Sequence, residues 1–148
     1  MLKSNVPNDS ELQALAKVTA ELLLAHTQTV VTAESCSGGW IAKALTDIAG
    51  SSAWFEAGLV AYGDETKQVL LGVQSQTLEQ YGAVSRETAI EMAVGALARS
   101  ASGVAVAVTG IAGPGGATKD KPVGTVWIAW KRRGGYARSE CFYFRGDR

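Results

Sequence analysis

Hydrophobic positions along this chain follow two alternating rhythms. Leu12, Leu15, Ala16, Val18, Leu22 and Leu23 recur at roughly helical spacing, which predicts a first helix from about Ser10, with Ser10 as candidate N-cap. Residues 29–33 are short and β-branched and read as a buried strand. They run directly into Glu34-Ser35-Cys36-Ser37-Gly38-Gly39, after which Trp40, Ile41, Ala44, Leu45 and Ile48 restore the helical period up to Gly50. Residues 54–62 read as a strand. Asp64-Glu65 then open a short helix that Gly72 stops, and residues 77–81 add a turn that Gly82 stops.

The clearest helix spans 85–101, with Ser85 as candidate N-cap. Residues 104–109 form a continuous apolar run, as in a central strand covered on both faces. A Gly/Pro-rich loop over 110–122 follows. Residues 124–130 and 136–144 predict a hairpin turning at Gly134-Gly135. Early alternation of helix and strand, then two adjacent strands, predicts a three-layer α/β/α sandwich with a mixed, mostly parallel sheet.

Length and composition narrow this picture. At 148 residues the chain fits one domain over 1–148, and its 47% apolar fraction supports a buried core. Fourteen basic and fourteen acidic residues cancel, so no charge footprint for nucleic acid is visible. The local run Lys131-Arg132-Arg133 reads as a solvated hairpin end. Two cysteines, Cys36 and Cys141, make neither a disulfide framework nor a zinc pattern. Residues 1–10 lack an apolar leader, and the run at 22–25 is too short to span a membrane. A soluble, cytoplasmic protein with no membrane partner is the expectation.

Four features bear on chemistry. Ser35 sits at a strand-to-helix junction before Gly38-Gly39, where a nucleophile would be exposed and free N–H groups can stabilise an oxyanion. Ser35 or Ser37 acting as a helix cap accounts for the same segment. The single histidine, His26, belongs to the end of the first helix, so a serine nucleophile needs lysine or tyrosine as its base. Tyr62 and Lys67 are candidates if their strand is a parallel neighbour of the serine's, although a core-edge Tyr62 and a solvated Lys67 remain the alternative. Thr109-Gly110-Ile111-Ala112-Gly113-Pro114-Gly115-Gly116 follows a buried strand and can cradle an anion, but it is neither a P-loop nor a dinucleotide fingerprint. Cys36 lacks a histidine partner and is the weaker nucleophile candidate. Trp40 and Trp54 read as packing residues, while Trp127 and Trp130, at odd spacing, face opposite sides of a strand.

Taken in order, Thr32-Ala33-Glu34-Ser35-Cys36-Ser37-Gly38-Gly39, Asp47-Ile48-Ala49-Gly50-Ser51-Ser52-Ala53-Trp54-Phe55, Tyr62 with Lys67, Gly82-Ala83-Val84-Ser85, Thr109-Gly110-Ile111-Ala112-Gly113-Pro114, Lys121-Pro122-Val123-Gly124-Thr125-Val126 and Gly146-Asp147-Arg148 resemble the CinA C-terminal domain family. Its stand-alone members include the nicotinamide-nucleotide amidohydrolases, or NMN deamidases.

The resemblance implies hydrolysis of the carboxamide of nicotinamide mononucleotide to nicotinic acid mononucleotide and ammonia, in pyridine nucleotide recycling. It implies a Ser-Lys-Tyr acyl-enzyme mechanism with no metal and no cofactor: Ser35 as nucleophile, with Lys67 and Tyr62 moving the proton. Backbone near Ser37 and Gly38 would hold the oxyanion. Thr109, Gly110 and Gly113 would line the nucleotide site, and Arg145 or, by the Gly-Asp-Arg motif, Arg148 would hold phosphate. The expected partners are a small nucleotide substrate and further copies of the chain. Two departures stand out. Gly63-Asp64 replace a polar-Asn pair common in the family, and the chain is expected to lack the family's last helix. Both leave open a catalytically weak paralogue that binds a nucleotide or a competence-related protein without turnover.

Overall fold

The computed structural model describes residues 6–146 and Arg148. Helix α1 spans Asp9–Ala25. Asn8, not Ser10, is its N-cap: the Asn8 side chain accepts the Glu11 N–H at 3.0 Å and Glu11 accepts the Asn8 N–H at 2.8 Å. This reciprocal box satisfies two donors that Ser10, two positions inside the helix, does not. His26 ends the helix at the surface.

Strand β1 is Val30–Glu34, helix α2 Trp40–Thr46, strand β2 Phe55–Val60, and helices α3, α4 and α5 are Asp64–Leu71, Ser75–Tyr81 and Arg86–Ala98. Ser85 caps α5, accepting the Thr88 N–H at 3.2 Å. The C-terminal strands are β3 Val104–Gly110, β4 Thr125–Arg132 and β5 Arg138–Tyr143. Helix α5 stops at Ala98, short of the expected 101, because Arg133 docks there: its guanidinium donates to the carbonyls of Leu97 and Ser100, each at 2.8 Å. A cation satisfying terminal carbonyls is a favourable helix stop. Arg133 is therefore an anchor rather than part of a solvated hairpin end.

The sheet order is β2-β1-β3-β4-β5. β1 pairs in parallel with β2 and β3, while β3–β4 and β4–β5 are antiparallel. Four strands thus share one direction and β4 alone opposes them. Residues of alternate parity face opposite layers. Val31, Ala33, Ala105, Ala107 and Ala129 pack beneath α5 with Met92, Ala93 and Ala96. Their small side chains let the helix lie close to the sheet. At Gly95 a Cβ would fall 1.6 Å from the Leu71 carbonyl oxygen, so the end of α3 also rests directly on α5. The other face carries α1 and α2, with Ala20, Val30 and Trp54 at its core. Trp54 is buried there as expected, but Trp40 is 65% exposed on α2 and is no packing residue. Trp127 packs toward α5 and Trp130 is exposed on the opposite face.

This topology fixes where chemistry can happen. From β1 the chain crosses to β2 on one side, and from β2 it returns through three helices to β3 on the other. The carboxyl ends of β1 and β3 flank a topological switch point, where open α/β sheets form crevices.

Candidate active site

Ser35 follows the last residue of β1. Its N–H donates to the Val108 carbonyl at 2.9 Å and its carbonyl accepts the Gly38 N–H at 3.0 Å, so its backbone is fixed to β3 and to a tight turn. Gly38 and Gly39 both lie at positive φ, +60° and +97°, where a side chain would be strained. The turn is organised by Glu34, which is fully buried. Glu34 Oε1 accepts the Ser37 hydroxyl at 2.7 Å and the Ile41 N–H at 2.9 Å. Its Oε2 accepts the Ala42 N–H at 2.9 Å and the Thr32 hydroxyl at 3.3 Å. These bonds occupy donors at the start of α2 that sequence reasoning had assigned to an oxyanion. Gly38 N–H and the Ser37 hydroxyl are likewise engaged. The backbone N–H groups of Cys36 and Ser37 favour the charged form of the Cys36 thiol, against the larger effect of burial.

The second arm follows β2. Lys67, in the first turns of α3, is only 1% exposed. Its Nζ donates to the Tyr62 carbonyl at 2.8 Å and lies 3.7 Å from Asp64 Oδ1, beyond hydrogen-bond range. Burial pushes the Lys67 ammonium below its usual pKa, because a low-dielectric site disfavours the charged form; the Asp64 carboxylate pulls it partly back up. Burial pushes the Cys36 thiol up, away from the thiolate a nucleophile needs.

The end of β3 supplies the third wall. Thr109 donates its hydroxyl to the Ala83 carbonyl at 2.8 Å, which draws the loop before α5 to the crevice. At Gly110 a Cβ would lie 2.8 Å from the Thr125 carbonyl oxygen and 3.1 Å from Cys36 Sγ, so only glycine fits without displacement. Arg148 closes the crevice: its Nε donates to the Gly113 carbonyl at 2.8 Å, and both terminal nitrogens lie 3.4 Å from the Tyr62 hydroxyl.

The result is a cavity of ≈ 220 Å³ whose walls include Ser35, Tyr62, Lys67, Thr109, Gly110, Gly113 and Arg148. Ser37, Gly38 and Arg145 do not line it, and Asp147 of the Gly-Asp-Arg motif lies outside the described residues. Sequence reasoning gave no site role to Glu34 or to the wall residues Ala83 and Val84. Glu34 was visible only as part of the serine motif, since its two backbone N–H partners sit seven and eight residues on. A larger open groove of ≈ 740 Å³ runs between α1 and α2, but it contains none of these groups, and its Lys43 and Asp47 are paired with each other at 2.6 Å. Among the described residues no three His, Cys, Asp or Glu side chains gather as a metal-ligand cluster. No described helix is long and apolar enough to cross a membrane.

Comparison with known proteins places this geometry among relatives. The CinA C-terminal domain profile matches residues 12–148. The chain is 53% identical over 142 residues to the nicotinamide-nucleotide amidohydrolase PncC of Escherichia coli K12, covering 95% of this chain and 85% of that protein. It is 56% identical over 117 residues to a CinA-like protein of Akkermansia muciniphila, covering 79% of this chain and 28% of that one. Among solved structures, the competence/damage inducible protein CihA of Agrobacterium tumefaciens superposes with a TM-score of 0.89 at 49% identity, over 97% of this chain and 86% of that one. A CinA superfamily protein of Escherichia coli also gives 0.89, at 36% identity, over 97% and 83% of the two chains.

Proposed function

The chain belongs to the CinA C-terminal domain family, and on that footing we propose that it hydrolyses the carboxamide of nicotinamide mononucleotide to nicotinic acid mononucleotide and ammonia. The observation that carries this reading is Lys67: a lysine buried in the same cavity as Ser35, held by one backbone carbonyl, with its ammonium form disfavoured. A lysine so placed can take a proton at moderate pH.

Ser35 Oγ attacks the carboxamide carbon, and its proton passes to Lys67. The tetrahedral oxyanion is held by the backbone N–H groups of Cys36 and Ser37, for which the described backbone hydrogen bonds show no acceptor. The C–N bond then breaks, and a proton from Lys67, relayed by the Tyr62 hydroxyl, leaves with ammonia. Water attacks the Ser35 ester, giving up its proton to Lys67, and the nicotinate product departs as Ser35 recovers its hydroxyl proton. Arg148 pairs with the nucleotide phosphate, exchanging its contacts with Tyr62 and Gly113 for two phosphate oxygens. Cys36 is a wall, not a nucleophile.

The test is production of ammonia and nicotinic acid mononucleotide by wild type, Ser35→Ala and Lys67→Met. Turnover in wild type that collapses in both variants supports the reading. Undiminished turnover in Ser35→Ala removes the serine mechanism, and a folded wild type that never turns over leaves a nucleotide-binding paralogue.

A further inference from the structure

Three charged side chains line the cavity: Lys67, Arg148 and Asp64. Asp64 is the single carboxylate among the described lining residues. It stands on the first turn of α3, 60% exposed, with one oxygen 3.7 Å from Lys67 Nζ. No described hydrogen bond engages its carboxylate, in contrast to Glu34, whose oxygens are held by four donors. If Lys67 works as a neutral amine, the charges facing a ligand are one anion, Asp64, and one cation, Arg148. A wall of that kind complements a zwitterion: a cationic group beside the reacting carbonyl and an anionic group at the Arg148 end. Without Asp64 the cavity would face a cationic ring with positive charge alone.

We propose that Asp64 is a specificity-determining residue that makes this site favour carboxamides carried on a positively charged aromatic ring over the same carboxamide on an uncharged ring. The proposal rests on the amidohydrolase reading and names the substrate class of that site. The carboxylate attracts the ring cation in substrate and transition state. It also repels the carboxylate that hydrolysis creates, which favours release of product.

The same charge acts on the base. Lys67 is faced by Asp64 from its own helix, by Tyr62 from the segment before it and by Cys36 from the β1–α2 turn. Removing the Asp64 charge lowers the Lys67 pKa further, so the acidic limb of activity, where the base becomes protonated, moves to lower pH. Asp64→Asn therefore gives two separable readouts: altered substrate preference and a displaced pH profile. A purely structural role would move neither.

The experiment compares nicotinamide mononucleotide with its uncharged 1,4-dihydropyridine form, which keeps the carboxamide, ribose and phosphate. The ratio of kcat/KM for the two is measured in wild type, Asp64→Asn and Asp64→Glu, which cancels their different intrinsic reactivity. Dissociation constants for both are measured by calorimetry in Ser35→Ala and in Ser35→Ala/Asp64→Asn. The expected result is a preference for the charged ring that falls about two- to fivefold in Asp64→Asn, the range for one partly exposed charge, and returns in Asp64→Glu. Unchanged ratios in both turnover and binding overturn the proposal. Absence of turnover by wild type, with the binding ratio still shifted by Asp64→Asn, defeats the amidohydrolase reading and leaves the charge selection standing.

Discussion

Two strand-to-helix arms meet at the cavity, and each buries one ionisable side chain in a different way. On the β1–α2 arm Glu34 is surrounded by four donors, two of them the N–H groups of Ile41 and Ala42. On the β2–α3 arm Lys67 has one carbonyl and a carboxylate at 3.7 Å. A buried acid with a full set of partners builds structure; a buried base without them is left reactive. On the proposed reading, the difference supplies a proton acceptor beside Ser35 in a chain whose one histidine is peripheral.

The sharpest way to break the comparison is to delete each group and read activity and stability separately. Lys67→Met should reduce turnover on the order of 10³-fold, within the usual span for a general base. Its folded state should be no less stable at neutral pH, and its urea midpoint should rise, because an apolar chain replaces a buried amine that the unfolded chain protonates more readily. Glu34→Ala should do the reverse first. Leaving buried donors without an acceptor costs about 1–3 kcal/mol, measurable in the same denaturation series, and any activity loss should follow from the loosened Ser35 turn. Glu34→Gln keeps one acceptor oxygen and should fall between.

Gly95→Ala tests the support of the base arm alone. The new methyl meets the Leu71 carbonyl at the end of α3, so α3 must shift or the helices part, at about 1–3 kcal/mol for overpacking. Because Lys67 lies on α3, the pH profile should change in this variant while Glu34's bonds remain intact. Equal disturbance of both arms would show that they are not independently held.

The legible part of this site was the part written in consecutive residues. A β-branched run ending at a serine and two glycines announces a strand-to-helix turn, and the topology indeed puts Tyr62 and Lys67 at the same sheet end. The sheet's handover from parallel to antiparallel pairing was also readable, since the final strands arrive without a helix between them. What could not be read depends on folding back. Glu34 reaches donors seven and eight residues ahead only because Gly38 and Gly39 adopt left-handed conformations. Arg133 finds the end of α5 more than thirty residues away. The α1 cap is a different kind of miss: Asn8 and Glu11 stand at box spacing in the sequence, but the apolar period drew the boundary to Ser10.

A smaller effect should appear in stability against pH. The folded Lys67 pKa lies below its unfolded value of 10.5, so between the two the unfolded chain holds the extra proton. Wild-type stability should therefore rise with pH across that window. Lys67→Met should lose this contribution, visible as a difference in the slope of unfolding free energy as pH rises toward 10.5.

The most direct test of the central claim is to catch the covalent intermediate. Wild type mixed with nicotinamide mononucleotide and quenched in acid within milliseconds should yield a peptide containing Ser35 that carries the nicotinoyl nucleotide as an ester, absent from Ser35→Ala and slow to form in Lys67→Met. An adduct mapped to Cys36, or steady turnover with no adduct at Ser35 at any quench time, would contradict the account.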